Sequence, residues 1–146
     1  MEKQSFRVLI QAPREKVWKF LWEDSNYRKW TSVFCEGSYA ESDWQEGSKI
    51  LFLSPGLNGM VSKIAVKRAS EFMSFVHLGE VKAGVEDTTS EGVKSWAGAE
   101  ENYTLNEMGN DTELVVEMDM NDQMREYFMN TWPKALSRLK ELCESE

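Results

Sequence analysis

Apolar and polar residues alternate along this chain with two distinct periods. In "KQSFRVLIQA", Phe6, Val8 and Ile10 recur at every second position, which predicts a strand. Pro13 follows as a suitable first helical residue, and from Arg14 to Trp22 the apolar positions Val17, Trp18, Phe20, Leu21 and Trp22 make a broad helical face. "DSN" is read as a break and "YRKW" as a second short helical turn. A series of strands separated by turn signals comes next. "SVFCEGSYAES" carries a glycine that marks a bulge or bend, "DWQEG" is a turn, and "SKILFL" is a strand. "SPGLNG" is a turn rich in Pro, Gly and Asn. "MVSKIAVKRA" places Met60, Ser62, Ile64 and Val66 on one face, and "EFMSFVHLGEV" is the next strand. "AGVEDTTSEGVKS" is polar, a long loop or a hairpin of weak strands. "WAGAEENYTLNEM" and "TELVVEMDM" flank "GND" as a hairpin. In its second arm Leu114, Val116, Met118 and Met120 point one way and Glu113, Val115, Glu117 and Asp119 the other.

The remainder, "NDQMREYFMNTWPKALSRLKELCESE", has the longer period of a helix, capped by Asn121 or Asp122. Its apolar stripe is Met124, Phe128, Thr131, Ala135, Leu139 and Leu142. Pro133 lies inside it and is expected to bend it near Met129 or Asn130. The order is one strand, one or two short helices, about six antiparallel strands and one long helix. A single helix cannot plug a sheet that wide, so an internal cavity is expected between them.

Composition narrows the reading. A chain of 146 residues fits one domain, and 41% hydrophobic with 29% charged residues is ordinary for a soluble globular protein. Six tryptophans and eight methionines exceed what a minimal core requires and suit a pocket wall as well as a core. The net charge of −8, with no basic stripe, argues against nucleic acid and anionic membranes as partners. No apolar run reaches the length of a membrane span, and no signal peptide is visible. Cys35 and Cys143 form no CxxC pair and are expected to be free thiols in a cytoplasmic protein. One histidine and two distant cysteines lack metal-ligand spacing, so neither a metal nor a cofactor is expected. Nucleotide-binding and hydrolase signatures are missing too.

Three stretches together carry a resemblance. "APREKVWKFLWEDSNYRKW", "DWQEGSKILF" and "TWPKALSRLKEL" resemble the START-like superfamily, also called SRPBCC, with its helix-grip fold. The branch they resemble is that of the C-terminal domain of activators of the heat-shock-protein-ninety ATPase. The resemblance covers nearly the whole chain. It implies an α+β domain over residues 1–146, with a curved antiparallel sheet of six to seven strands wrapped around a long C-terminal helix and two short helices after the first strand. It specifies function poorly, because that superfamily holds carriers, receptors, cyclases and co-chaperone domains.

Within that layout Met73, Phe75 and His77 are placed inward. An inward His77 is either an acid–base or ligand-orienting group or a core histidine bonded to a neighbouring side chain. Glu101 shares a face with Ala99, Tyr103 and Leu105 if its strand is regular, which would put a polar cluster in an apolar cavity. A register shift of one residue would instead turn Glu101 to solvent and Asn102 inward. Cys35 could meet His77 across adjacent strands, without an orienting third residue. One indole of the opening stretch is expected in the core and another, with Trp30, near the entrance; the alternative is that Trp18, Trp22 and Trp30 only pack. The expected cavity residues are Trp30, Met60, Ile64, Met73, Phe75, His77, Trp96, Glu101, Tyr103, Met118, Phe128 and Trp132. Three functions fit: binding of a small apolar or amphipathic ligand, a cyclase- or dehydratase-type enzyme, or a co-chaperone-like interaction module with a chaperone partner.

Overall fold

The computed structural model describes residues 2–145, among them eight strands and four helices. In chain order these are β1 (Glu2–Ile10), α1 (Arg14–Trp22), α2 (Asp24–Thr31), β2 (Tyr39–Glu41), β3 (Lys49–Ser54) and β4 (Asn58–Arg68). Then come β5 (Phe72–Lys82), β6 (Val85–Asp87), α3 (Glu91–Lys94), β7 (Glu100–Met108), β8 (Asp111–Met120) and α4 (Asp122–Glu144). The strands form one open antiparallel sheet in the order β1-β8-β7-β5-β4-β3-β2, with β6 pairing to β5. The fold is thus α+β, with two short helices after the first strand and a long C-terminal helix. No helix among the described residues is long and apolar enough to cross a membrane.

β1 lies along β8 for its whole length, from Glu2 opposite Met120 to Ile10 opposite Thr112. β8 alternates as its sequence predicts, with one exception. Val115 faces away from the core yet is buried, because on this central strand Arg7 and Thr104 flank it from both neighbours. β5 has a divided edge. Its first half pairs with β7, its end pairs with β6, and His77 lies between the two. There the backbone N–H of His77 donates to the Ala99 carbonyl (2.9 Å), and the Gly98 N–H donates to the His77 carbonyl (2.8 Å).

Several local expectations are corrected. "DSN" opens α2 instead of breaking the helix. The break is the single extended residue Glu23. Most of "SVFCEGSYAES" is a turn, and only Tyr39–Glu41 is a strand. The Phe34 N–H bonds the Thr31 carbonyl and the Ser38 hydroxyl bonds the Cys35 carbonyl, so local bonds satisfy this backbone without a partner strand. Gly37 sits at φ +86°, the bend that the glycine signalled. The polar stretch after β5 contains β6 and the single turn of α3, which Ser90 caps through the Val93 N–H.

α4 begins at its Asn121 cap, whose side chain accepts from the Met124 N–H. It runs through Pro133 as one helix. Its two halves behave differently. After Pro133, Ala135, Leu136, Leu139 and Cys143 are buried, as are Thr131 and Trp132 just before it. From Asp122 to Asn130 only Phe128 is even half-buried. The stripe expected from Met124 through Leu142 therefore packs on the sheet only from Thr131 onward, with Trp132, Leu136 and Cys143 joining it. The changeover falls beside Pro133, which has no N–H for the Met129 carbonyl.

Both cysteines are free, Cys35 exposed and Cys143 buried. Burial pushes the Cys143 thiol up to about 12, far from the thiolate form that reacts. One thiol per chain should therefore react rapidly with a disulfide reagent under native conditions, and the second only on unfolding. Two equally fast thiols in the native protein would contradict the docking of α4.

Candidate functional site: a cavity under the first half of the last helix

Where α4 leaves the sheet, a cavity of about 740 Å³ remains. Its size falls within the range of small-molecule sites, roughly 300–1,000 Å³. Its inner walls are the rings of Tyr27, Trp30, Phe34, Phe52, Tyr103, Phe128 and Trp132, with Met60 and Met118 among them. It reaches solvent between α3 and the first turn of α4, where Ser90, Gly92, Gln123 and Met124 line it and are exposed. At the rim the Tyr127 hydroxyl donates to the Phe34 carbonyl (2.6 Å), tying α4 to the turn after α2.

The aromatic stretch of the sequence divides between core and cavity. Trp22 is in the core, with ring centroids 4.8 Å from Tyr103, 5.4 Å from Phe75 and 5.8 Å from Trp44. Trp18 is half-buried and packs edge-on against Trp22. Trp30 does not stand at the entrance. It is 1% exposed, and its indole N–H donates to the Leu21 carbonyl (3.1 Å), which draws the ring inward between α1 and α2. The indole N–H groups of Trp22 and Trp132 are buried without a partner, so packing alone holds those rings.

Of the expected cavity residues, Trp30, Met60, His77, Trp96, Glu101, Tyr103, Met118, Phe128 and Trp132 line the space. Ile64, Met73 and Phe75 do not. They point to the same face but are fully buried in core, where Trp22 from α1 covers that end of the sheet. Tyr27, Phe34 and Phe52 line the cavity and were missed. Tyr27 and Phe34 come from stretches whose period signalled no inward face. Phe52 carried a signal, since it lies in the apolar run "ILFL".

One polar chain enters this apolar wall. Ser62 Oγ lies 2.7 Å from His77 Nδ1, and His77 Nε2 lies 3.1 Å from Glu101 Oε1. The Tyr103 hydroxyl donates to Glu101 Oε2. With the imidazole proton on Nε2, every member is satisfied: Ser62 donates to Nδ1, and Nε2 and Tyr103 both donate to the carboxylate. The register of β7 makes this possible. Glu101 pairs with Phe75 on one side and Met118 on the other without slippage, so it faces the cavity. Asn102 takes the opposite face, accepting from Ser74 (2.5 Å). Burial, reinforced by the adjacent Glu101, holds the Tyr103 hydroxyl well above its ordinary ionisation range, so it acts as a donor.

The sequence hydroxyl, imidazole, carboxylate is that of a nucleophilic triad, but the burial is reversed. Ser62 is fully buried on β4 and does not line the cavity, whereas the imidazole and the carboxylate both do. The chain can therefore orient and hold a ligand or move a proton at Glu101, and cannot present a serine nucleophile. Cys35 lies in the exposed turn after α2 and does not meet His77. Among the described residues no three His, Cys, Asp or Glu side chains gather as a metal site.

Comparison with known proteins gives a consistent picture. A family model described as "Activator of Hsp90 ATPase homolog 1-like protein" matches residues 11–144. Protein MLL2253 from Mesorhizobium loti has a similar structure, at 15% identity and TM-score 0.75, over 99% of this chain and 98% of that one. The Aha1 dimer from Colwellia psychrerythraea is similar at 22% identity and TM-score 0.73, over 99% and 97%. DynU16, a protein in the dynemicin biosynthetic locus, is similar at 13% identity and TM-score 0.73, over 100% of this chain and 49% of that one. At these identities the likenesses are of fold alone. No curated protein matches the chain.

Proposed function

This chain belongs to the family of activator of Hsp90 ATPase homolog 1-like proteins, and from that premise and the geometry above we propose that it binds a small, largely apolar ligand under the first half of α4. The observation that carries the proposal is the aromatic cavity of about 740 Å³ with a single fixed polar chain at its wall. A ligand gains by burying apolar surface against those rings, at about 25 cal/mol per Å² of area removed from water. Glu101, held by His77 and Tyr103, then fixes its orientation. Side chains spent on each other in this way need little reordering on binding.

The test is a thermal one. A neutral apolar probe such as naphthylmethanol or octanol should raise Tm, because it binds only the folded state. At a hundredfold excess over Kd the gain is about 2.7 kcal/mol, or roughly 5–10 °C for a chain of this length. Ala99, 5% exposed on the cavity wall, is the place to block it. Ala99→Phe should abolish the shift while leaving the Tm of the free protein within a few degrees. No shift from either probe would overturn the reading.

One observation favours a second reading, acid–base catalysis of a cyclase or dehydratase type. Glu101 meets the cavity with an imidazole behind it, the arrangement a proton acceptor needs. In that case the ligand would be recovered chemically altered, and Glu101→Gln would stop the conversion while retaining binding. The family's relation to activators of a chaperone ATPase supplies a third, protein interaction, which co-purification with the chaperone would test.

A further inference from the structure

The charges that line the cavity are of one sign. Glu101 faces it from the wall, and Glu80 and Asp119 face it nearer the rim, while among the described residues no lysine or arginine lines it. The rim carboxylates have partners outside: Glu80 pairs with Lys82 (3.4 Å), and Asp119 pairs with Lys3 (3.6 Å) and accepts from the Glu100 N–H (2.9 Å). Among the described residues Glu101 has only the imidazole and the phenol as partners. Both of these donors point at its carboxylate, so neither is left to receive an anion, and the Tyr27 hydroxyl that also lines the cavity is a neutral donor that supplies no positive charge. A carboxylate offers about four acceptor directions, and only two are taken here.

We propose that the cavity selects apolar amines in their protonated form, with the ammonium group seated on the Glu101 carboxylate and the apolar body against the aromatic rings. This rests on the binding reading above and names the ligand's chemical class. Four physical arguments support it. A buried ammonium is stable only with an opposite charge and good hydrogen bonds, and Glu101 supplies both. Faces of Tyr, Trp and Phe within about 6 Å of a cation attract it through the ring quadrupole, and such rings make up the cavity wall. An anionic ligand of the same shape would meet Glu101 with no cationic side chain to offset it. The chain's net charge of −8 also favours approach of cations over anions.

The experiment compares two matched sets of probes on the whole chain at neutral pH: naphthylmethylamine, naphthylmethanol and naphthoate, and octylamine, octanol and octanoate. In each set the amine should bind at least tenfold more tightly than the carboxylate, with the alcohol between them. Added salt should narrow that ratio, and Glu101→Gln should erase most of it by weakening the amine far more than the alcohol. Equal or tighter binding of the carboxylate by the native chain overturns this proposal, whatever the variant does. If the alcohols bind and the amines gain nothing, the cavity reading stands and the amine preference is wrong. If no member of either set binds, both are wrong.

Discussion

Replacing Trp30 with alanine should cost about 3–5 kcal/mol of folding stability, the range for truncating a buried large aromatic. The indole is 1% exposed and fills the junction of three elements. Its ring lies 5.7 Å from Tyr27 and 6.1 Å from Trp132, and its N–H bonds the Leu21 carbonyl at the end of α1. The neighbourhood cannot collapse to fill the gap, because the far side of the ring is already cavity. Domains of this kind are stable by only about 5–15 kcal/mol, so the loss is a large share of the total. Trp30→Phe keeps part of the ring area and loses the hydrogen bond, and should fall between the two. Urea denaturation followed by circular dichroism measures both, and a cost below about 1 kcal/mol for Trp30→Ala would show that the ring is not part of the core.

Alkaline pH should destabilise the protein steeply. Burial pushes the Cys143 thiol from 9.0 up to about 12, and it raises the hydroxyls of Tyr103 and Tyr27 above their ordinary value of 10.0, with Glu101 adding to both. In each case the folded state holds its proton more tightly than the unfolded state. That contribution is fully present below the unfolded value and is lost as pH rises through the folded one. Stability from these groups should hold level up to about pH 9. Cys143 alone then removes about 1.4 kcal/mol per pH unit, reaching about 4 kcal/mol by pH 12. Above pH 10 the two tyrosines join it and roughly triple the slope. Denaturant titrations at several pH values on Cys143→Ala should show the first part of the fall removed and the steeper part retained. An unchanged onset in the variant would mean that the thiol is not buried in the folded state.

The periodic elements were readable because their side chains alternate without interruption. β8 runs Leu114, Val116, Met118, Met120 against one partner on each side, and its inward face follows directly. Glu101 could be placed inward only on the assumption of a regular strand, and β7 is regular. β4 is regular through Met60, Ser62 and Ile64, which face inward as expected, but an extra residue, Ala65, shifts its register before Val66. Opposite Val61 and Ser62 the extra residue is Leu78 on β5, and nothing in either stretch of sequence announces them. Ile64, Met73 and Phe75 show a different limit. Period two tells the face of a strand and not the position along it, so it cannot say that Trp22 closes one end of the sheet while the other stays open. Cys35 was misplaced because an apolar run of strand-like residues sits in a turn that its own backbone bonds complete.

The pairing of β1 with β8 also governs how the chain assembles. The contacts joining these strands span more than a hundred residues of sequence, from Ile10 with Thr112 to Glu2 with Met120. α4 then binds back to the same strand region, through Lys140 to the Leu9 carbonyl (3.1 Å) and Glu144 to the Gln11 N–H (2.7 Å). Such long loops must close before those contacts repay their entropy, which makes refolding slow for the chain's size. During synthesis at about 5–20 residues per second, β1 would wait on the order of ten seconds for its only neighbour in the sheet. Through that interval its apolar face, Phe6, Val8 and Ile10, lacks both β8 beside it and α4 across it. The nascent chain, more than the finished protein, is therefore the form at risk of aggregation.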